Sequence, residues 1–77
     1  MAEDVVGGVV KVIEVVGSSP TSFSDAVRQA VKVASRSVRN MQGVDILSTT
    51  AEVNDKGDLT LYKAQCKIAF LVESDEV

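Results

Sequence analysis

Hydroxyls crowd one short stretch of this chain: Ser18, Ser19, Thr21, Ser22 and Ser24 lie almost side by side. A nucleophilic serine needs a base to take its proton, and the sequence has neither a histidine nor a Gly-x-Ser-x-Gly turn. Turn and helix-cap roles are therefore expected for these residues, and no enzymatic activity. Cys66 is the one cysteine, so neither an internal disulfide nor the usual structural zinc sets can form. The run Asn54-Asp55-Lys56-Gly57-Asp58 offers oxygens and a glycine in the manner of a calcium loop. It contains a lysine and lacks the later bidentate glutamate, so a hairpin turn is expected instead. Arg28, Lys32, Arg36 and Arg39 recur at helical spacing and could hold phosphates of a nucleotide, a coenzyme or another anionic partner. No aromatic residues interleave with them and the net charge is −3, which argues against nucleic acid and for a solvated helix face.

Positioning these groups falls to few elements. Val9 to Gly17 is rich in β-branched residues and reads as a strand, closed by Gly17-Ser18-Ser19-Pro20. Ser22 followed three residues later by Asp25 reads as a capping box that starts a helix. At 100° per residue, Phe23, Ala26, Val27, Ala30, Val31, Ala34, Val38 and Met41 share an arc of roughly 140°, a core-facing stripe, with the basic residues opposite. The pattern stops at Asn40-Met41-Gln42-Gly43. Val44 to Val53 reads as a second strand, Asn54 to Asp58 as the hairpin loop, and Leu59 to Val72 as a long third strand. Its even positions Tyr62, Ala64, Cys66, Ile68, Phe70 and Val72 should meet the helix, and Lys63, Gln65 and Lys67 should point away.

The crossover helix makes the second strand parallel to the first, and the hairpin makes the third antiparallel to both. The expected fold is α+β: a βαββ unit whose three-stranded antiparallel sheet has the order 1-3-2. About 14 strand residues extend roughly 46 Å, whereas a helix of about 19 residues covers about 29 Å. The sheet overhangs its helix, and Leu59, Leu61 and Leu71 then form an apolar surface that further copies of the chain should cover. Self-association is expected also because a domain of 77 residues buries only about two-thirds of its unfolded surface. Residues 1–8 read as a flexible leader, 9–72 as the domain and 73–77 as an acidic tail. The opening MAEDVVGG is acidic, with no secretory pattern, and no apolar run approaches the roughly 20 residues of a membrane span, so a cytoplasmic protein without membrane partners is expected.

The segments KVIEVVGSSPTSFSDAVRQAV, SVRN and YKAQCKIAFLV, in this order and with these loop lengths, resemble the dodecins over about Val9 to Val72. The resemblance implies a subunit whose sheet wraps its helix, assembled as a hollow homododecamer that usually binds flavin (FMN, FAD or riboflavin) for storage or buffering. In flavin-binding dodecins a tryptophan opening the second strand stacks on the ring, and here Gly43 stands at that place. A glutamine just after the tyrosine of the third strand bonds the ring, and here Lys63 follows Tyr62. Stacking on an aromatic is worth about 1–3 kcal/mol per ring, and this chain has no tryptophan to supply it. Gln65 shares the outward parity of Lys63 but sits about 7 Å along the strand, too far to stand in.

The functional expectation is a non-enzymatic shell that stores a small ligand at its interfaces, with Gly43, Asp45, Lys63 and Gln65 lining an altered pocket. One alternative is a calcium-binding or purely structural shell, since some dodecins lacking the tryptophan resemble calcium binders. Glu14, Asp45, Glu52 and Asp58 are its candidate ligands, each repeated about a symmetry axis. The other alternative is a scaffold that binds an anionic partner through Arg28, Lys32, Arg36 and Arg39.

Overall fold

The computed structural model describes residues 8–72, so all of the expected leader except Gly8, and the whole acidic tail, lie outside the described residues. The elements follow in the order β1 (Val9–Ser19), α1 (Phe23–Ala34), β2 (Met41–Val53) and β3 (Leu59–Val72). The sheet order is β1-β3-β2 with both pairings antiparallel, as the topology argument requires.

Helix α1 begins where the hydroxyl cluster predicts, though the capping box closes differently. Ser22 is the N-cap and its Oγ accepts from the Asp25 N–H at 3.0 Å. The Asp25 carboxylate, however, takes the Ser19 hydroxyl at 2.7 Å instead of the Ser22 N–H. Ser19 Oγ in turn accepts from the Thr21 N–H at 2.9 Å and the Ser22 N–H at 3.4 Å. One hydroxyl, 1% exposed, thus ties the end of β1 to the start of α1 with its hydrogen bonds satisfied.

The helix is shorter than its apolar stripe suggests, 12 residues and not about 19. Ser35 Oγ donates to the Lys32 carbonyl at 2.6 Å, and the chain tightens into turns with Arg36 N–H on Val33 O and Ser37 N–H on Ala34 O. Asn40, at φ 60°, then reverses the chain, and Met41 opens β2 opposite Phe70 instead of closing the helical stripe. Arg36 and Arg39 consequently fall outside the helix, and only Arg28 and Lys32 share its outer face.

What packs between helix and sheet is small. The buried residues are Ala26, Ala30 and Ala34 on α1 with Ala64, Cys66 and Ile68 on β3, joined by half-buried Val15 and Val27. Phe23 adds an edge-on contact to the Tyr62 ring, with centroids 4.9 Å apart. Gly17 sets the spacing: a Cβ there would lie 2.1 Å from the Ala26 carbonyl oxygen and 2.8 Å from the Ala30 Cβ. Only a residue without a side chain lets α1 lie this close to β1.

The helix lies over β1 and β3 and scarcely reaches β2. Val44, Ile46 and Leu47 on β2 therefore remain 40%, 52% and 42% exposed, and Val9, Val10, Val12 and Val16 on β1 are likewise open. The molecule is 59 Å long and 16 Å across its thinnest dimension, with a radius of gyration of 15.9 Å against about 11 Å for a compact chain of this size. Among the described residues no helix is long and apolar enough to cross a membrane.

Replacing Gly17 by alanine should push α1 off the sheet. The expected cost is at least about 3 kcal/mol, at the upper end of overpacking penalties because the clash is with backbone. It should appear as a large fall in melting temperature, and an alanine variant that melts like the parent would contradict this account of the helix–sheet spacing.

Candidate functional site

Opposed residues in an antiparallel pair share a face, so the two registers map the side of the sheet turned away from α1. Across β1, β3 and β2 the rows are Val12–Ala69–Gly43, then Glu14–Lys67–Asp45, then Val16–Gln65–Ser48, then Ser18–Lys63–Thr50. The alternation on β2 survives because Leu47 is an extra residue in a bulge between Ile46 and Ser48. Were Leu47 paired in the regular ladder instead, Ser48, Thr50 and Glu52 would turn to the helix side. The centre of this outer face is a polar strip with apolar residues towards one end.

The four residues expected to line the altered pocket all lie on this face, but in two separate places. Gly43 and Asp45 border a pocket of about 410 Å³ with Val12, Val44, Lys67 and Ala69. A side chain at Gly43 would meet nothing within 4 Å, so the position is open space. Lys63 lies four residues along β3 from Lys67, about 13 Å away, and is held by Glu52 at 2.9 Å. Gln65 lies between them with both ends of its amide occupied: Nε2 donates to Glu14 Oε1 and Oε1 accepts from Ser48 Oγ, each at 3.3 Å. Lys67, not Lys63, is the cation beside Gly43. Its parity with Lys63 and Gln65 was readable from the sequence, whereas its alignment with Asp45 depends on the register.

The carboxylates considered for metal are dispersed. Glu14 is bonded by Gln65, Glu52 by Lys63, and Asp58 sits at the end of the hairpin. In that hairpin Asn54 Oδ1 accepts from the N–H groups of Lys56 and Asp58 at 2.9 and 3.0 Å, and Gly57 takes φ 86°. The Asn54 oxygen is thus spent on the turn. Among the described residues no three His, Cys, Asp or Glu side chains come together to hold a metal ion. A separate apolar groove of about 650 Å³ runs between β1 and α1, bordered by Ile13, Val15, Val33 and Val38.

Comparison with known proteins agrees with this architecture. The Dodecin family model matches residues 9–73. A curated relative, calcium dodecin from Mycobacterium tuberculosis, is 32% identical over 62 residues, covering 80% of this chain and 86% of the relative. Among solved structures, dodecin from Streptomyces coelicolor superposes with a TM-score of 0.86 at 28% identity, covering 92% of this chain and 100% of that one. The structure described as the calcium-chelating immunodominant antigen calcium dodecin from M. tuberculosis, with a novel calcium-binding site, gives 0.73 at 28% identity over 90% and 97%. Dodecin from Streptomyces davaonensis gives 0.83 at 22% identity over 90% and 100%. The chain belongs to the dodecin family.

Cys66 lies on the helix side, away from the polar strip, 0% exposed and with its Sγ 3.7 Å from the Ala64 carbonyl oxygen. Burial pushes its thiol up from the ordinary value of 9.0. The folded protein should therefore resist Ellman's reagent at pH 8 and release one equivalent only when unfolded in guanidinium. Because the folded thiol keeps its proton longer than the unfolded one, its stabilising share is complete below the ordinary thiol range and is lost as pH climbs through the folded value. Cys66→Ala should remove that part of the alkaline slope in melting temperature.

Proposed function

We propose that the chain assembles as a hollow homododecamer and that the shell holds a small organic ligand at its subunit interfaces, without catalysing a reaction. The observation that carries this reading is the pocket at Gly43. It lies on the sheet face that α1 does not cover, combines apolar walls from Val12 and Ala69 with Asp45 and Lys67, and is open in a single subunit. A second copy facing it would complete the enclosure. Membership of the dodecin family supports the assembly, and the apolar residues left outside the thin core would supply the driving force for it.

The flavin arrangement of the family is not the one we propose. Gly43 leaves the stacking position open, Lys63 is bound to Glu52, and the Gln65 amide is engaged on both sides. A second reading, a calcium-binding shell, draws on the M. tuberculosis calcium dodecin. With the carboxylates dispersed in one subunit, its ions would need Glu14, Asp45, Glu52 or Asp58 from several copies. A scaffold for anionic partners has less support, since Arg36 and Arg39 have left the helix face that Arg28 and Lys32 share.

Native mass measurement on the protein as purified should give twelve copies of the 8.2 kDa chain together with any retained ligand. A stable monomer at low micromolar concentration would refute the shell. Restoring the family's two flavin contacts, Gly43→Trp with Lys63→Gln, should produce quenching of riboflavin fluorescence that the parent lacks, the glutamine reaching the Gly43 pocket from another copy because position 63 lies about 20 Å along β3 from Ala69 opposite Gly43. If an assembled double variant leaves that fluorescence unchanged, the correspondence between this pocket and the flavin site is wrong.

A further inference from the structure

Open space around Gly43 is not confined to the outer face of the sheet. On the helix side a smaller pocket of about 180 Å³ is bordered by Val31, Met41, Gln42, Gly43, Val44 and Ile68. It exists because α1 scarcely reaches β2, so Val31 on the helix and Val44 on the strand flank a gap floored by buried Ile68. Gly43 and Val44 border this pocket and the outer-face pocket alike. β2 is an edge strand of the sheet, and Gly43 has no side chain to stand between the two openings. Gln42, the extra residue of a bulge between Met41 and Gly43, is tethered at the rim. Its Nε2 donates at 3.3 Å to the Asn40 carbonyl, which also accepts from the Leu71 N–H at 3.0 Å.

We propose that the two pockets are halves of one site, whose ligand keeps a planar polar head on the outer face and passes a single apolar ring round the edge of β2 into the helix-side pocket. The inference rests on the reading of the outer face as the ligand face and deepens it by naming the ligand's second part. Size and chemistry both support a ring. An apolar cavity of about 150 Å³ holds benzene, so a pocket of about 180 Å³ takes one six-membered ring and not a fused system. Val31, Met41, Val44 and Ile68 give it apolar walls, and no charged residue borders it, so a charged limb would lose its water there without compensation. The head meets the opposite conditions, with Asp45 and Lys67 beside Val12 and Ala69. Side chains stand about 5 Å off each side of a sheet, so head and ring must lie roughly 10 Å apart.

The test is a ligand series on the intact protein: nicotinamide as a planar head with a donor and acceptors, and nicotinamides whose amide nitrogen carries a 4-bromophenyl ring on one to four methylenes. Calorimetric titration should show affinity rising about tenfold or more over nicotinamide at the linker that spans the edge, the gain expected from burying one ring. Bromine anomalous scattering from crystals of that complex should place the atom among Val31, Met41, Val44 and Ile68. Val31→Phe narrows the helix-side pocket without touching the outer face, and should return the best compound to the affinity of nicotinamide. A series that is flat with linker length, or a gain that survives in assembled Val31→Phe, would overturn the proposal. So would a side chain of another copy filling the pocket in crystals of the parent, an outcome that needs no variant. Native mass on the same samples reads assembly by itself: a parent that stays monomeric sinks the shell, whereas a flat series on an assembled parent sinks only the two-part site.

Discussion

The close approach of α1 to β1 governs the rest of the structure. Gly17 lets the Ala26 carbonyl and the Ala30 methyl come so near the strand that nothing larger fits between them. The residues that meet across this seam are three alanines on the helix and Ala64, Cys66 and Ile68 on the sheet. Such a seam excludes water well but buries little apolar surface, and stabilisation from burial scales with that area. The larger side chains, among them Val10, Val12, Val33, Ile46 and Leu59, consequently lie outside it. A 59 Å strip with a narrow core has its hydrophobic material in the wrong place for a monomer and in the right place for contacts between copies.

The same geometry decides where a ligand can be held. On the helix side six buried side chains fill the seam under α1, and the groove beside it and the smaller pocket between Val31, Met41, Val44 and Ile68 are lined largely by apolar residues. The opposite face has a different composition: Glu14, Lys67, Asp45, Gln65, Ser48, Lys63 and Glu52 form a continuous polar strip, laced by two hydrogen bonds through Gln65 and one ion pair. Burying that strip against an apolar partner would strand its charges, which is costly. The apolar rows at the Val12 end carry no such penalty.

Much of this could be read from residue order alone, and the exceptions share a cause. The three strands, their order and the inward parity of Ala64, Cys66 and Ile68 follow from β-branched runs, a turn-forming pentad and alternation with period two. These signals are local. The helix end was not legible, because Val38 and Met41 continue the apolar periodicity past the point where Ser35 bonds the Lys32 carbonyl and Asn40 reverses the chain. The outer-face site was legible only in part. Parity placed Lys63, Gln65 and Lys67 together, but which of them neighbours Gly43 depends on a register containing the bulge at Leu47. That bulge is a property of two strands pairing and has no signature in either one alone. Ser19 is legible as a turn residue, whereas its role as the buried hub for Asp25, Thr21 and Ser22 depends on the tertiary fold.

The thin core and the polar strip together constrain any assembly of this chain. Copies must cover the exposed valines, isoleucine and leucines to gain stability, yet they must leave the Glu14–Lys67–Asp45 row either hydrated or facing a group that satisfies it. Sealing contacts are therefore expected at the apolar margins and over the uncovered flank of β2, with the middle of the outer face turned towards a shared space. Gly43 lies at the boundary between these two regimes, beside the apolar pair Val12 and Ala69 and one row from the charges. A ligand with an apolar body and a polar edge matches that boundary, and it can bridge the dry margin and the wet centre without leaving either unsatisfied. The same shortage of internal core that makes interfaces necessary thus also creates the boundary at which the proposed ligand would be held.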